Sequence, residues 1–188
     1  LYGKCSYDTT VTEQQFKEVM NGCRELFAAK LHDYGASWRI LRPSSLTDQL
    51  FIKAKRIRSL EIKKESLVGE GIMPEFVALI NYGIIGLIQL ENGYVDQVDI
   101  CPEEALLLYD KHAEEALQLM IRKNHDYDEA WRSMRVSSYT DLILTKIQRI
   151  KEIEDLNGCT LVSEGIGANY MDIINYAVFG VIKLTEKE

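Results

Sequence analysis

The sequence predicts an all-α fold of six principal helices, arranged as two pseudo-two-fold-related three-helix units. Three observations carry this reading. Apolar residues recur at helical spacing through most of the chain, and no useful length alternates with period two, so a sheet is not expected. The chain also repeats itself. Shifted by 93 positions, residues 32–58 match residues 125–151 at 13 of 27 positions. His32-Asp33-Tyr34 falls on His125-Asp126-Tyr127, Trp38-Arg39 on Trp131-Arg132, Lys53 on Lys146 and Arg56-Ile57 on Arg149-Ile150. After a one-residue insertion, Glu70-Gly71-Ile72 meets Glu164-Gly165-Ile166 and Ile80-Asn81-Tyr82 meets Ile174-Asn175-Tyr176. A tandem repeat of this kind places residues 1–94 in one helical unit and 95–188 in a second, with one shared core.

The first helix of unit one carries Phe16, Val19, Cys23, Leu26 and Phe27 at helical spacing, and Thr12 with Gln15 reads as a capping-box start. Its counterpart carries Leu106, Tyr109, Ala113, Ala116 and Met120, with Pro102 near the expected first turn. The second helices are expected to begin after Ser45 and Ser138, each followed three residues later by an acid, Asp48 or Asp141, in a capping-box pattern. They bury Leu46, Leu50, Ile57 and Leu60 in one unit and Tyr139, Ile143, Ile150 and Ile153 in the other. The third helices, about Met73 to Leu90 and Gly167 to Leu184, are apolar almost all round. Such a helix belongs in a core, and the two have no obvious cover but each other.

Composition narrows the function. The 188 residues hold 22 Lys+Arg against 29 Asp+Glu, a net charge of −7, with 46% hydrophobic residues and 3 Pro. This excludes a disordered tail or a collagenous polymer, and it argues against broad duplex nucleic-acid binding, which needs a basic face. A chain of this length buries roughly 70% of its unfolded surface, so no disulfide or metal is needed for stability. Cys5, Cys23, Cys101 and Cys159 are widely spaced, which fits reduced thiols and a cytoplasmic location. The charge-free stretch from Phe76 to Leu90 is short for a bilayer span, and its counterpart contains Asp172 and Lys183, so no membrane association is expected.

Four cations, Arg39/Arg132, Arg42/Arg135, Lys53/Lys146 and Arg56/Arg149, survive in both copies, as do the acids Asp33/Asp126, Asp48/Asp141, Glu61/Glu154 and Glu70/Glu164. Lys146 and Arg149 share a helix face and suit two oxygens of a phosphate chain, the arginine through its planar fork. The competing reading makes them snorkelling cations that satisfy acids on a neighbouring helix. Asn81 and Asn175 sit deep in apolar helices, where an unpaired amide costs about 1–3 kcal/mol, so each requires a partner. An interhelical contact and a ligand contact both meet that need. Asp172 lies on the same face as Asn175. With Glu164 and Asp126 it forms a candidate set of hard oxygen ligands for Mg²⁺, and Ala78 in place of Asp172 confines that site to unit two. Tyr127 and Trp131 are amphipathic aromatics able to stack on a base, although tryptophan in a helical protein also serves as plain core. No P-loop, dinucleotide-binding or nucleophile-elbow motif occurs.

The strings K-N-H-D-Y at 123–127, W-R at 131–132, K-x-x-R at 146–149 and E-G-I…D-I-I-N-Y at 164–176 resemble the nucleotide modification associated domain 1 family. Unit one repeats the pattern as K-L-H-D-Y-G at 30–35, K-x-x-R at 53–56 and E-G-I…L-I-N-Y at 70–82. The resemblance implies a role near nucleotides or modified bases. A looser likeness is to the all-α, MazG-like nucleoside triphosphate pyrophosphohydrolases, in which small helical units pair around Mg²⁺. Here Lys146 and Arg149 stand where E-x-x-E would be expected, and Asn169 replaces the glutamate before Asp172. These likenesses leave two classes open. One is Mg²⁺-dependent hydrolysis of a nucleotide phosphate, with Glu164, Asp172 and Asp126 on the metal, Lys146, Arg149 and Arg132 on phosphate, and Tyr127, Trp131 and Asn175 around the base. The other is a non-catalytic nucleotide-binding or protein-interaction module, and either class admits a homo-oligomer.

Overall fold

A computed structural model describes residues 9–64, 71–157 and 165–187. Six α-helices are present: α1 (Thr9–Tyr34), α2 (Pro43–Lys63), α3 (Met73–Asn92), α4 (Pro102–Tyr127), α5 (Val136–Asp155) and α6 (Ile166–Thr185). Short 3-10 turns, Ser37–Ile40 and Ala130–Ser133, follow α1 and α4. No strand occurs among the described residues, and the sequence order of the elements is the same in both units.

Equivalent helices meet across the pseudo-two-fold axis: α3 packs on α6, α2 on α5 and α1 on α4, and the buried residues form one cluster that spans both units. α3 is long and apolar enough to cross a bilayer by length and composition alone. Its apolar surface is instead largely covered by protein, with Phe76, Leu79, Ile80, Ile84 and Ile88 fully buried. That is why the helix is apolar all round rather than striped.

The axis is visible residue by residue. A Cβ on Gly86 would lie 2.6 Å from the Tyr170 ring, and one on Gly180 would lie 3.0 Å from the Phe76 ring. Gly180 is the repeat equivalent of Gly86, and Phe76 that of Tyr170, so one knob-into-gap contact occurs twice. Between α2 and α5, Thr47 donates a 2.7 Å hydrogen bond to Glu154, and in the equivalent pair burial pushes the Glu61 carboxyl up while the nearby Thr140 hydroxyl partly offsets it. Retention of Glu61 and Glu154 thus has a structural cause.

Three expected helix starts are corrected. α2 and α5 begin at Pro43 and Val136, capped by the backbone of Arg42 and Arg135 with no side-chain cap bond. Ser45 and Ser138 are therefore inside the first turn, and the Asp48 and Asp141 capping boxes do not form. Proline at N1 sets the start of α2, because its missing N–H leaves no orphan donor there. α1 already runs through Thr9, so Thr12 and Gln15 are interior residues with other partners. The box that does form is at α4, where the Cys101 N–H donates to Glu104 at 2.9 Å ahead of Pro102.

The glycine contacts generate a prediction. Gly86→Ala and Gly180→Ala overpack the α3–α6 seam, and each should lower unfolding stability by about 1–3 kcal/mol, Gly86→Ala by more. Urea denaturation of both variants checks this, with Gly22→Ala as a control at a site with open space around the added Cβ.

Candidate functional site

Each unit turns sharply after its first helix. Gly35 adopts φ 63° and the equivalent Asp128 φ 50°, both in the left-handed region that ends a helix. The 3-10 turn that follows is held from behind by the last turn of the third helix. The Gln89 amide donates to the carbonyls of Trp38, Arg39 and Leu41 at 3.2, 2.9 and 2.9 Å. At the equivalent position Lys183 donates to the carbonyls of Arg132, at 2.8 Å, and Met134. Different side chains thus perform one task, which is to fix where Trp38 and Trp131 point.

Under each turn lies a cavity. The first encloses about 420 Å³ and is lined by residues that include Lys30, Tyr34, Trp38, Asn81 and Tyr82. The second encloses about 290 Å³ and has Lys123, Tyr127, Trp131, Asn175 and Tyr176 at the same positions. Tyr34 and Tyr127 are 73% and 70% exposed at the rims, an unusual position for a large aromatic ring. The duplication has therefore copied a lined concavity as well as a core.

The two cavities are furnished differently. In unit two, Asp172 is almost fully buried with one oxygen 2.7 Å from the Lys123 ammonium and the other 3.0 Å from Lys146. Trp131 stacks on Phe179 at 4.2 Å with planes 7° apart, and the Arg132 guanidinium lies 4.4 Å from the same ring. With these neighbours Trp131 is buried. In unit one, Ala78 stands at the position of Asp172 and Ile85 at that of Phe179. Trp38 is only half-buried, and Lys30 has no ion-pair or hydrogen-bond partner among the described residues. The acid of unit one sits a turn earlier: Glu75 accepts from Arg56 at 2.9 Å and lies 3.6 Å from Lys53.

The remaining site residues from the sequence are distributed as follows. Asn175 Nδ2 donates to the Ala116 carbonyl at 3.3 Å, and Asn81 Nδ2 to the equivalent Cys23 carbonyl at 3.1 Å. The Tyr109 hydroxyl donates to Asn81 Oδ1 at 2.8 Å, whereas Asn175 Oδ1 is buried without a partner. The cause is one substitution, since Phe16 occupies the position equivalent to Tyr109 and has no hydroxyl to offer. Arg132 leaves the second cavity for a cluster in which it donates to Thr12 and Gln15 at 2.7 Å and pairs with Glu129 at 3.0 Å and Glu186 at 3.1 Å. Its equivalent Arg39 is 2% exposed and pairs with Asp99 at 2.9 Å. Arg149 turns to its helix neighbour Glu152 at 3.2 Å, whereas Lys146 reaches Asp172 at 3.0 Å. Asp126 is exposed at the end of α4, 3.1 Å from His125. Glu164 lies outside the described residues.

Of the three acids expected to hold Mg²⁺, Asp172 lines the second cavity, Asp126 is exposed and Glu164 lies outside the described residues. An Mg²⁺ ion takes one or two carboxylates and several waters in near-octahedral order. Asp172 already bears an ammonium on each oxygen, and no three His, Cys, Asp or Glu side chains gather among the described residues.

Sequence reading passed over Lys30 and Lys123 as ligand residues, although they are identical in the repeat two positions before His-Asp-Tyr. The signal was available. Gln89 and Lys183 had none, because their shared role survives a complete change of residue type.

Fold and cavities together define a duplicated helical protein with a paired, aromatic-rimmed concavity. The nucleotide modification associated domain 1 model matches it twice, over residues 30–90 and 123–184, and the chain belongs to that family as a tandem repeat of its domain. Neither the curated proteins nor the solved structures gave a match. The likeness to the helical pyrophosphohydrolases finds no support in these comparisons.

The asparagine geometry is testable. Tyr109→Phe recreates at Asn81 the unpaired carbonyl found at Asn175 and should cost about 1–3 kcal/mol, measured by denaturant unfolding. The same substitution in an Asn81→Leu background should cost much less, because no acceptor is left to satisfy.

Proposed function

We propose that the protein binds a nucleotide or modified nucleotide without hydrolysing it, and that the first-unit cavity is the receptor. The observation that carries this reading is the twice-built concavity, because both matches to the nucleotide-associated family coincide with it. Its lining has the parts that nucleotide recognition uses. Tyr34 offers an exposed ring at the rim for base stacking, worth about 1–3 kcal/mol per base. Half-buried Trp38 flanks the cavity, and Lys30 and Lys53 supply positive charge for phosphate. In unit two, Trp131 is stacked on Phe179 and buried, and Asp172 takes the lysine charges. The pairing of both Asp172 oxygens with Lys123 and Lys146 directs the reading to binding rather than hydrolysis.

A panel of nucleosides and nucleotides that includes modified pyrimidines, titrated with EDTA present, tests the proposal through tryptophan fluorescence and melting temperature. At least one member should bind, and Tyr34→Ala should weaken it about tenfold or more while leaving the unliganded melting temperature nearly unchanged. Tyr127→Ala should have little effect. Failure of every member to bind would overturn the proposal, and so would binding that only Tyr127→Ala removes.

A further inference from the structure

The sequence equivalences of the repeat show what the first cavity holds open. Lys123, Lys146 and Asp172 in unit two correspond to Lys30, Lys53 and Ala78 in unit one. In unit two the carboxylate of Asp172 bridges the two ammonium groups, 2.7 and 3.0 Å away, and is 7% exposed. In unit one both cations remain beside the cavity, the carboxylate is replaced by a methyl group, and the cavity is larger, about 420 against 290 Å³. Glu75 also lines the first cavity and pairs with Lys53, but it does not bridge the two lysines. Its closer partner is Arg56 at 2.9 Å, while Lys53 is 3.6 Å away and Lys30 has no partner among the described residues.

The geometry points to Asp172 as an internal copy of a missing ligand group: the first cavity carries an anion subsite between Lys30 and Lys53, beside Ala78, that takes the phosphate of a nucleoside monophosphate, and in the second cavity the Asp172 carboxylate fills that subsite. The inference rests on the nucleotide-binding reading and adds the phosphate class and a stoichiometry of one per chain. A monophosphate fits better than a longer chain. The bridge in unit two spans one carboxylate, and the next cation on that face, Arg56, is already paired with Glu75. Phosphate in that position accepts charge-assisted hydrogen bonds from both ammonium groups, as Asp172 does.

The test uses the four common deoxynucleoside 5′-monophosphates, their parent nucleosides and orthophosphate with the full chain, read by titration calorimetry and ³¹P NMR. One monophosphate should bind at one site per chain, at least tenfold more tightly than its nucleoside. Ala78→Asp should reduce monophosphate affinity to the level of the nucleoside or below and abolish the orthophosphate signal, without lowering the melting temperature, because it installs the bridge that unit two already has. Asp172→Ala with Phe179→Ile should raise the stoichiometry to two. Ala78→Glu and Lys30→Gln serve as second variants, and each should also remove the phosphate preference. Equal affinity for nucleoside and monophosphate would overturn the anion subsite and leave the base pocket standing. Orthophosphate binding that Ala78→Asp removes, with no nucleoside bound, would sustain the subsite and overturn the nucleotide reading. Phosphate binding that Ala78→Asp leaves intact would place the anion elsewhere and overturn the inference.

Discussion

Everything in this molecule depends on the seam between α3 and α6. Two helices apolar around their whole circumference cannot face water, and in a chain of this size each is the only large apolar surface available to the other. Close approach is secured by Gly86 and Gly180, each receiving an aromatic ring from the opposite helix. Once the seam is set, the position of every other element follows from it. The first and second helices of each unit cover what remains, and the last turns of α3 and α6 grip the 3-10 turns through Gln89 and Lys183. The seam therefore positions the tryptophans over the cavities, so the site inherits its geometry directly from the core.

A pseudo-symmetric core constrains polar residues more than apolar ones. Leu79 and Ile173 exchange freely because bulk is what matters at those positions. Asn81 and Asn175 cannot, since each supplies the donor for a carbonyl of the first helix, at Cys23 and Ala116. Thr47 with Glu154 and Thr140 with Glu61 are one pairing seen from both sides of the axis, with the hydrogen bond closed at Thr47. The unpaired Oδ1 of Asn175 shows what happens when only half of such a contact is kept: Phe16 fills the volume of Tyr109 but not its chemistry.

Much of the architecture was legible because duplication supplies an internal comparison that periodicity alone lacks. The six helices, their grouping and the central place of the third helices all follow from the repeat and from apolarity. Helix starts were less legible, because Ser45 and Ser138 with their following acids imitate a capping box that Pro43 and the backbone of Arg42 and Arg135 pre-empt. The candidate site was legible in residue type and misleading in grouping. Tyr127, Trp131, Lys146, Asp172 and Asn175 do belong to one region, whereas Arg132 and Arg149 go to Glu129 and Glu152. Spacing of three along a helix places two side chains on one face, but it does not say which acid across the groove captures each. That is decided by tertiary contacts that lie many residues away in the chain.

The deeper difference between the units concerns where each puts its buried acid. Two lysines beside a half-buried cavity repel each other and lose hydration, and a nearby carboxylate offsets both costs. Unit two places that carboxylate at Asp172, between the lysines, and Phe179 against Trp131 closes the rest of the space. Unit one places it a turn earlier at Glu75, where Arg56 takes most of its charge, and leaves Ala78 and Ile85 at the inner positions. The three residues from Glu75 to Ala78 correspond to about 4.5 Å along the helix axis. That distance is enough to convert a self-satisfied cluster into a cavity with charge to spare. The same duplicated scaffold therefore holds a closed and an open version of one concavity, and the closed one shows which ligand group the open one lacks.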